Sequence, residues 1–291
     1  MRKKILITGA SGLLGRHLVD LLLLQPQFEL FIISRKPENL WAGKNVTLLQ
    51  LNLAQHWDER ELPPDLFAII HLSQGENFRD FPGSAKEVFY INTESTIRLA
   101  DFAVKTKVSH FIYASSGAVY GALGTFTEDD PIAFIKKLDF YAATKLCSEL
   151  LLQNYAAHLN VISLRFFFIY GKGQQQNMLL PRLVGFVKNE QPISLDGEEG
   201  LTINPVHATD AAKAVIAALT VAGSHTINVA GPQNISLKKI GEIIGKQFNK
   251  SPLFKIDQSK KSQQLIGDIS LMSQLLIVPA IKPEDGIKTL I

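Results

Sequence analysis

An α/β fold, a doubly wound parallel sheet with a smaller C-terminal lobe that carries the substrate side, is predicted by three observations. Short β-rich apolar runs alternate with amphipathic helical stretches as far as about Gly171. A glycine-spaced turn follows the first of those runs, between Thr8 and His17. Beyond Gly171 the regular alternation stops and the chain becomes richer in turns. With 291 residues, 46% of them hydrophobic and 20% charged, the chain has enough apolar side chain for such a core.

The elements follow in order. Residues 5–8 read as a strand, 14–24 as an amphipathic helix, and 30–34 and 46–51 as strands. Next come a strand over 67–72, a helix over 84–106 and a strand over 110–115. After a loop rich in Gly and Asp, 141–157 is helical and 161–167 is again a strand. This alternation implies right-handed βαβ units, with ligands beyond the carboxyl ends of the strands. Residues 1–171 are therefore assigned to a dinucleotide-binding domain and 172–291 to the smaller lobe, with 205–230 returning to the first domain. Within the lobe, 179–188 and 237–247 read as helices and 225–229 as a last sheet strand, while the chain from Asn249 onward is polar and weakly patterned.

Charge and cysteine content narrow the function classes. The formal net charge is +3 without long runs of one sign, which speaks against a nucleic-acid groove or a polybasic membrane anchor. The apolar run before Thr8 and the cluster Leu21 to Leu24 are too short for a signal-peptide core or a membrane span, so a cytoplasmic protein is expected. Cys147 is the single cysteine and sits inside a helical pattern, where a buried thiol is expected. Seven histidines invite a search for a metal, but no His/Cys/Asp/Glu group has ligand spacing, and no metal is expected. His207 reads as a packed or loop-bonding residue, and Glu128, Asp129 and Asp130, like the DGEEG segment, as solvated loop.

Directly after the first strand, TGASGLLG places glycines at 9, 12 and 15 and opens onto a helix. Gly9 permits a tight turn, Gly12 lets the backbone approach a pyrophosphate, and Gly15 allows close helix-to-strand packing. In this strand-to-helix context the motif points to a Rossmann-type dinucleotide site, with the helix N-terminus facing the anion. Ser11, Leu13 and Leu14 line the same turn. An acid that would grip the ribose hydroxyls of NAD is missing at the end of the second strand, where Ser34, Arg35 and Lys36 stand instead. Arg35 offers a planar fork suited to a 2'-phosphate, so NADP is favoured, with NAD possible if an adjacent turn supplies an acid. Leu72 and Ser73, at the carboxyl end of the strand over 67–72, are further cofactor candidates.

Tyr141 and Lys145 are four residues apart at the start of a helix and project from one face. A free phenol is a poor base at neutral pH, but a nearby ammonium favours the phenolate, so Tyr141 can exchange a proton with an alcohol or ketone as hydride moves. In YASSGAVYG, Ser115 and Ser116 lie at a carboxyl edge of the sheet, where a hydroxyl can bond the same substrate oxygen. Neither serine is in the G-x-S-x-G turn of a hydrolase.

These motifs together resemble the extended short-chain dehydrogenase/reductases, the NAD-dependent epimerase/dehydratase family, over nearly the whole chain. GASGLLG is similar to its glycine motif, IIHLS to its fourth strand, INTESTIRLADFA to the helix after it, and YASSGAVYG to its serine strand. YAATK is similar to its catalytic pair, LRFFFIYG to its sixth strand, VHATDAAKAV to a segment of its substrate lobe, and TINVAGPQNISLKKIGEII to its late strand and helix. The resemblance implies that Ser116 and Tyr141 share the reacting oxygen and that Lys145 holds the nicotinamide ribose and tunes Tyr141. It implies as well that Asn92 fixes local structure and that Asn52 and Leu53 lie near the adenine.

Departures bear on the substrate. Relatives acting on sugar nucleotides usually have an Asn where Phe168 stands and an Arg where Ile203 stands, both commonly on the diphosphate. Arg182, Lys172 or Lys188 would have to replace those contacts. The dehydratases' Thr-Asp-Glu triplet is replaced by Ser116, Gly117 and Ala118, which leaves water elimination without its acid and base. The sequence reading is therefore an NAD(P)-dependent oxidoreductase acting at a hydroxyl or keto carbon of a nucleotide-linked sugar. A 4-ketosugar reductase is placed ahead of an NDP-sugar 4-epimerase, a homodimer is possible, and a non-catalytic dinucleotide sensor is the rival from another class.

Overall fold

The computed structural model describes residues 2–36, 41, 44–132 and 135–291. In chain order the first strands and helices are β1 (Lys3–Thr8), α1 (Leu13–Leu22), β2 (Phe28–Ser34), β3 (Val46–Gln50), β4 (Leu66–His71), α2 (Ala85–Phe89), α3 (Ser95–Lys105) and β5 (His110–Ser116). There follow β6 (Gly124–Phe126), α4 (Phe140–Gln153), β7 (Asn160–Phe166), α5 (Leu179–Lys188), β8 (Ile193–Asp196), β9 (Leu201–Ile203) and α6 (Ala208–Ala218). The last are β10 (His225–Val229), β11 (Ile235–Ser236), α7 (Leu237–Phe248), β12 (Phe254–Asp257), β13 (Gln263–Gly267), α8 (Ser270–Leu275) and α9 (Pro283–Gly286).

The main sheet is parallel, seven-stranded and ordered β10-β7-β5-β4-β1-β2-β3. Its strands read as continuous apolar runs because both faces are covered: Ile5, Leu6, Ile7 and Ala68, Ile69, Ile70 are all fully buried. Strand order reverses between β1 and β4, which pair in register from Ile5 with Ala68 to Thr8 with His71. Such a reversal opens a crevice at the carboxyl ends of the two strands, the usual place for a ligand.

By contact density the chain forms two compact units, residues 1–121, 132–165 and 212–227, and residues 122–131, 166–211 and 228–291. Where the sequence placed a break after Gly171, the units change over between Arg165 and Phe166, and the returning segment is 212–227. The first unit has a core around Leu6, Ile69, Leu99, Phe111, Tyr113 and Leu152. The second is centred on Tyr170, Leu183, Ile193, Ile203, Ile240 and Ile244.

Three expectations need correction. The helix expected over 84–106 is broken by a π-helical turn at Tyr90–Glu94, where the Ser95 and Thr96 hydroxyls donate back to the carbonyls of Ile91 and Asn92. After Asn249, where the sequence is weakly patterned and no element is expected, β12 pairs parallel with β8, and β13 lies between β9 and β6. β12 is mostly exposed and β13 runs from exposed to buried along its length, so neither imprints a period-2 alternation on the sequence. Cys147 is exposed, because positions 143, 147, 150 and 151 form the solvent stripe of α4. Among the described residues no helix is long and apolar enough to cross a membrane.

Candidate active site

The glycine loop follows β1 at the point of strand reversal. Gly9 has φ +71°, and a Cβ there would lie 2.7 Å from the Leu72 carbonyl carbon and the Ser73 nitrogen, so the loops after β1 and β4 touch through it. Thr8 ties the same two ends together, its Oγ1 2.7 Å from His71 Nδ1 and accepting from Ser73 N at 3.2 Å. A Cβ on Gly15 would come within 2.3 Å of the Gly9 carbonyl oxygen, so α1 can start against the turn only with glycine there. Gly12 is different: a Cβ on it would meet only Gly9 O at 3.3 Å, which leaves an open backbone face.

That face fits a pyrophosphate. Gly12 is the N-cap of α1, no side chain caps the helix, and its first turn holds no acid, so the helix N-terminus presents N–H groups to an anion. Ser11 is exposed, and its carbonyl accepts from Arg16 Nε at 2.7 Å. Leu13 is half-buried, while the Leu14 side chain belongs to the core, so only its backbone can serve the loop. Likewise Leu53 packs in the core, and half-buried Asn52 accepts from Ala54 N at 3.0 Å.

At the end of β2 the guanidinium expected to meet a 2'-phosphate has acidic neighbours. Ser34 Oγ donates to the Lys36 carbonyl at 2.7 Å, and Arg35 Nη2 lies 3.0 Å from Glu76 Oε2, with Glu87 Oε1 4.0 Å from Nη1. The loop after β4 supplies one acid, Glu76, and α2 supplies another, Glu87. A dianionic phosphate beside Arg35 would have to displace one carboxylate and sit near two, whereas neutral ribose hydroxyls meet no such repulsion.

The catalytic candidates converge from β5 and α4. Asp139 caps α4, accepting from Ala142 N at 2.7 Å, and so sets the first turn that carries Tyr141. The Tyr141 phenol donates to Gln74 Oε1 at 3.2 Å and is hydrogen-bonded by the Ser116 hydroxyl, which itself accepts from Ala118 N at 3.2 Å. Lys145 is buried, and its ammonium donates to the Ala114 carbonyl at 2.7 Å. The structure therefore joins Ser116, Tyr141 and Lys145 on one edge, and adds Gln74, which the sequence reading missed. Nothing about Gln74 in the sequence could have marked it, because it reaches Tyr141 across 67 residues.

The electrostatics differ from the expected tuning. Burial, reinforced by Asp139, pushes the Tyr141 phenol up to about 12 against the opposing pull of the Ser116 bond and Arg79. Lys145 does not hold the phenol down here; its Nζ is 5.9 Å from the Tyr141 ring centroid and engaged with Ala114. Burial lowers Lys145 itself to about 7, with Glu149 pulling the other way.

Asn92 fixes the surroundings. Its side chain accepts from Gly75 N at 3.0 Å and donates to Thr144 Oγ1 at 2.9 Å, and its carbonyl accepts from Ser148 Oγ at 2.8 Å. The π-turn thus locks the loop after β4 against α4. Beneath it lies a second buried group that the sequence reading did not single out: Glu149 and Arg165, with Ser115 and Tyr120.

Other candidates resolve into structure. His207 stacks edge-on against Tyr170, with centroids 5.3 Å apart, and accepts from Thr209 N. Glu128 is not merely solvated, since it accepts from Asn228 N at 2.7 Å. Ile203 is fully buried and Phe168 packs on the second core at φ +45°, so neither offers a polar contact. Arg182, Lys172 and Lys188 are exposed. Among the described residues no three His, Cys, Asp or Glu could hold a metal.

Comparison with known proteins extends this picture. The sequence model of the NAD dependent epimerase/dehydratase family matches residues 5–230. A UDP-glucuronate 4-epimerase of Thermodesulfobacterium geofontis is 25% identical, with 97% of this chain and 93% of that protein covered. A Bacillus subtilis protein described as an uncharacterized UDP-glucose epimerase is 26% identical over 98% of this chain and 95% of its own. Among solved structures, the UDP-glucuronic acid 4-epimerase of Bacillus cereus, in complex with UDP-glucuronic acid and NAD, superposes with a TM-score of 0.85 at 26% identity, covering 98% of this chain and 97% of that one.

Proposed function

The chain belongs to the NAD dependent epimerase/dehydratase family and is an enzyme of that family, and from that premise we propose that it is a UDP-sugar 4-epimerase working with NAD. This displaces the ketosugar reductase in favour of the alternative read from the sequence, and it sets aside the non-catalytic sensor. The observation that carries it is the ion pair between Arg35 and Glu76, which engages with a carboxylate the guanidinium that argued for NADP. The likeness to 4-epimerases that bind UDP-sugars and NAD supports the same reading.

The residues divide the work. Gly9, Gly12 and Gly15 form the turn whose backbone receives the pyrophosphate, and Lys145 holds the nicotinamide ribose. NAD, when bound, supplies the acceptor and donor of hydride. Tyr141 takes the proton from the sugar hydroxyl at the reacting carbon and gives it back after the sugar has turned. Ser116 bonds the same oxygen and keeps it in line with the phenol. The half-buried phenol is a weak base until positive charge stabilises the phenolate, and Arg79 is the cation of the chain that pulls it that way.

Supplying UDP-glucose or UDP-glucuronate with NAD should give interconversion of the 4-epimers without net change in nicotinamide absorbance. Stoichiometric loss of NADPH absorbance on a 4-ketosugar nucleotide, with no epimer formed, would restore the reductase.

A further inference from the structure

Three consecutive residues of β5 are each held by a different turn of α4. The Ala114 carbonyl accepts from Lys145, the Ser115 hydroxyl donates to Glu149 Oε1, and the Ser116 hydroxyl bonds Tyr141. The middle contact is itself anchored. Arg165 Nη2 lies 2.7 Å from Glu149 Oε2, Arg165 Nε lies 3.1 and 3.2 Å from the two carboxylate oxygens, and Arg165 Nη1 donates to the Tyr120 hydroxyl at 3.0 Å. Both charges are buried, with Glu149 2% and Arg165 7% exposed.

A fork-to-fork pair is a rigid fastener, costly to desolvate and specific in geometry. Its place matters more than its energy. Glu149 follows Lys145 by one helical turn on the same face of α4, and Ser115 is the neighbour of Ser116 in β5. We propose that Glu149, clamped by Arg165, is a positioning residue for the reaction: through Ser115 it fixes Ser116 against Tyr141, and it sets the buried anion one helical turn from Lys145. This rests on the catalytic roles given above to Tyr141, Ser116 and Lys145.

The other groups around Lys145 do not replace that anion. His71, on β4, is lowered to about 3 by burial and is neutral, and burial on β5 pushes Tyr113 upward and keeps it neutral. Tyr120 accepts from Arg165, Asp139 caps the helix beside Tyr141, and Arg79 acts on Tyr141. Glu149 is the group that raises Lys145 against its desolvation.

The test uses the double variant Glu149→Gln with Arg165→Met, which leaves no unpaired buried charge, and the mild variant Ser115→Ala. Lys145 is titrated in cofactor-free protein through the NMR signal of its 13C-labelled ε-carbon, identified by its loss in Lys145→Ala. In the double variant the Lys145 midpoint should fall by about one pH unit, and kcat should fall by on the order of tenfold with the sugar KM held within about twofold. Ser115→Ala should leave the titration in place and lower kcat by roughly fivefold, the worth of one hydrogen bond. If both variants keep the parental Lys145 midpoint and kcat and change only the thermal midpoint, the pair is packing and the proposal is overturned. Failure of the catalytic assignment reads separately, as full activity in Tyr141→Phe.

Discussion

The glycine loop and the catalytic edge both belong to the first unit, yet they are built on opposite principles. The loop uses the absence of side chains: Gly9 and Gly15 sit where any Cβ would strike backbone, and Gly12 leaves its face open. The edge is organised by side chains, in a chain of bonds from Ala118 N through Ser116 to Tyr141 and Gln74, backed by Asn92, Glu149 and Arg165. A backbone site is specified by local sterics, so its code is short and contiguous. A side-chain site depends on partners up to 67 residues away, so its code is scattered.

That contrast can be broken by substitution, beginning with the largest effect. Gly15→Ala should destabilise the protein by about 2–3 kcal/mol, because the neighbours of its new methyl group are backbone atoms that cannot step aside, and NAD binding should be lost with it. Gly12→Ala should cost less, about 1 kcal/mol, because its methyl group meets a single backbone oxygen at 3.3 Å, and should weaken NAD at least about tenfold. Calorimetric melting with isothermal titration of NAD separates the two; normal NAD affinity in Gly12→Ala would remove the loop from the cofactor site.

On the catalytic edge the order inverts, with chemistry lost and fold kept. Tyr141→Phe should lower kcat by about a hundredfold or more while NAD affinity and melting stay close to the parent's. Epimerisation rates beside the same titration give the answer, and a fall in affinity matching the fall in rate would turn Tyr141 into a binding residue.

A smaller effect concerns pH. Lys145, lowered from 10.5 to about 7, sheds its proton in the folded state while the unfolded chain retains it, so stability rises with pH between about 7 and 10.5. Below about 7 both states are protonated and the penalty is complete. Lys145→Met should therefore melt higher than the parent at neutral pH, by up to a few kcal/mol, with the gap closing as pH approaches 10.5. Melting curves of cofactor-free protein across that range would show it, and a gap that widens upward would reverse the assignment.

The sequence by itself determined the alternating sheet, the glycine loop and the pair Tyr141 and Lys145, because continuous apolar strands, a strand-to-helix glycine turn and an i, i+4 spacing are local patterns with local causes. It did not reveal β12 and β13, whose residues show no alternating burial and whose identity comes from the strands they join. Nor did it settle the cofactor's ribose end. Arg35 alone argues for a 2'-phosphate, and only the tertiary fold brings Glu76, 41 residues on, to within 3.0 Å of its guanidinium. The protonation of the site was decided at the same level. A lysine four residues from a tyrosine predicts a lowered phenol, but folding buries Lys145, half-buries Tyr141 and aims the ammonium at Ala114, so desolvation prevails and Tyr141 rises to about 12. Local sterics can be read along the chain, whereas charge and desolvation depend on whatever the fold places nearby.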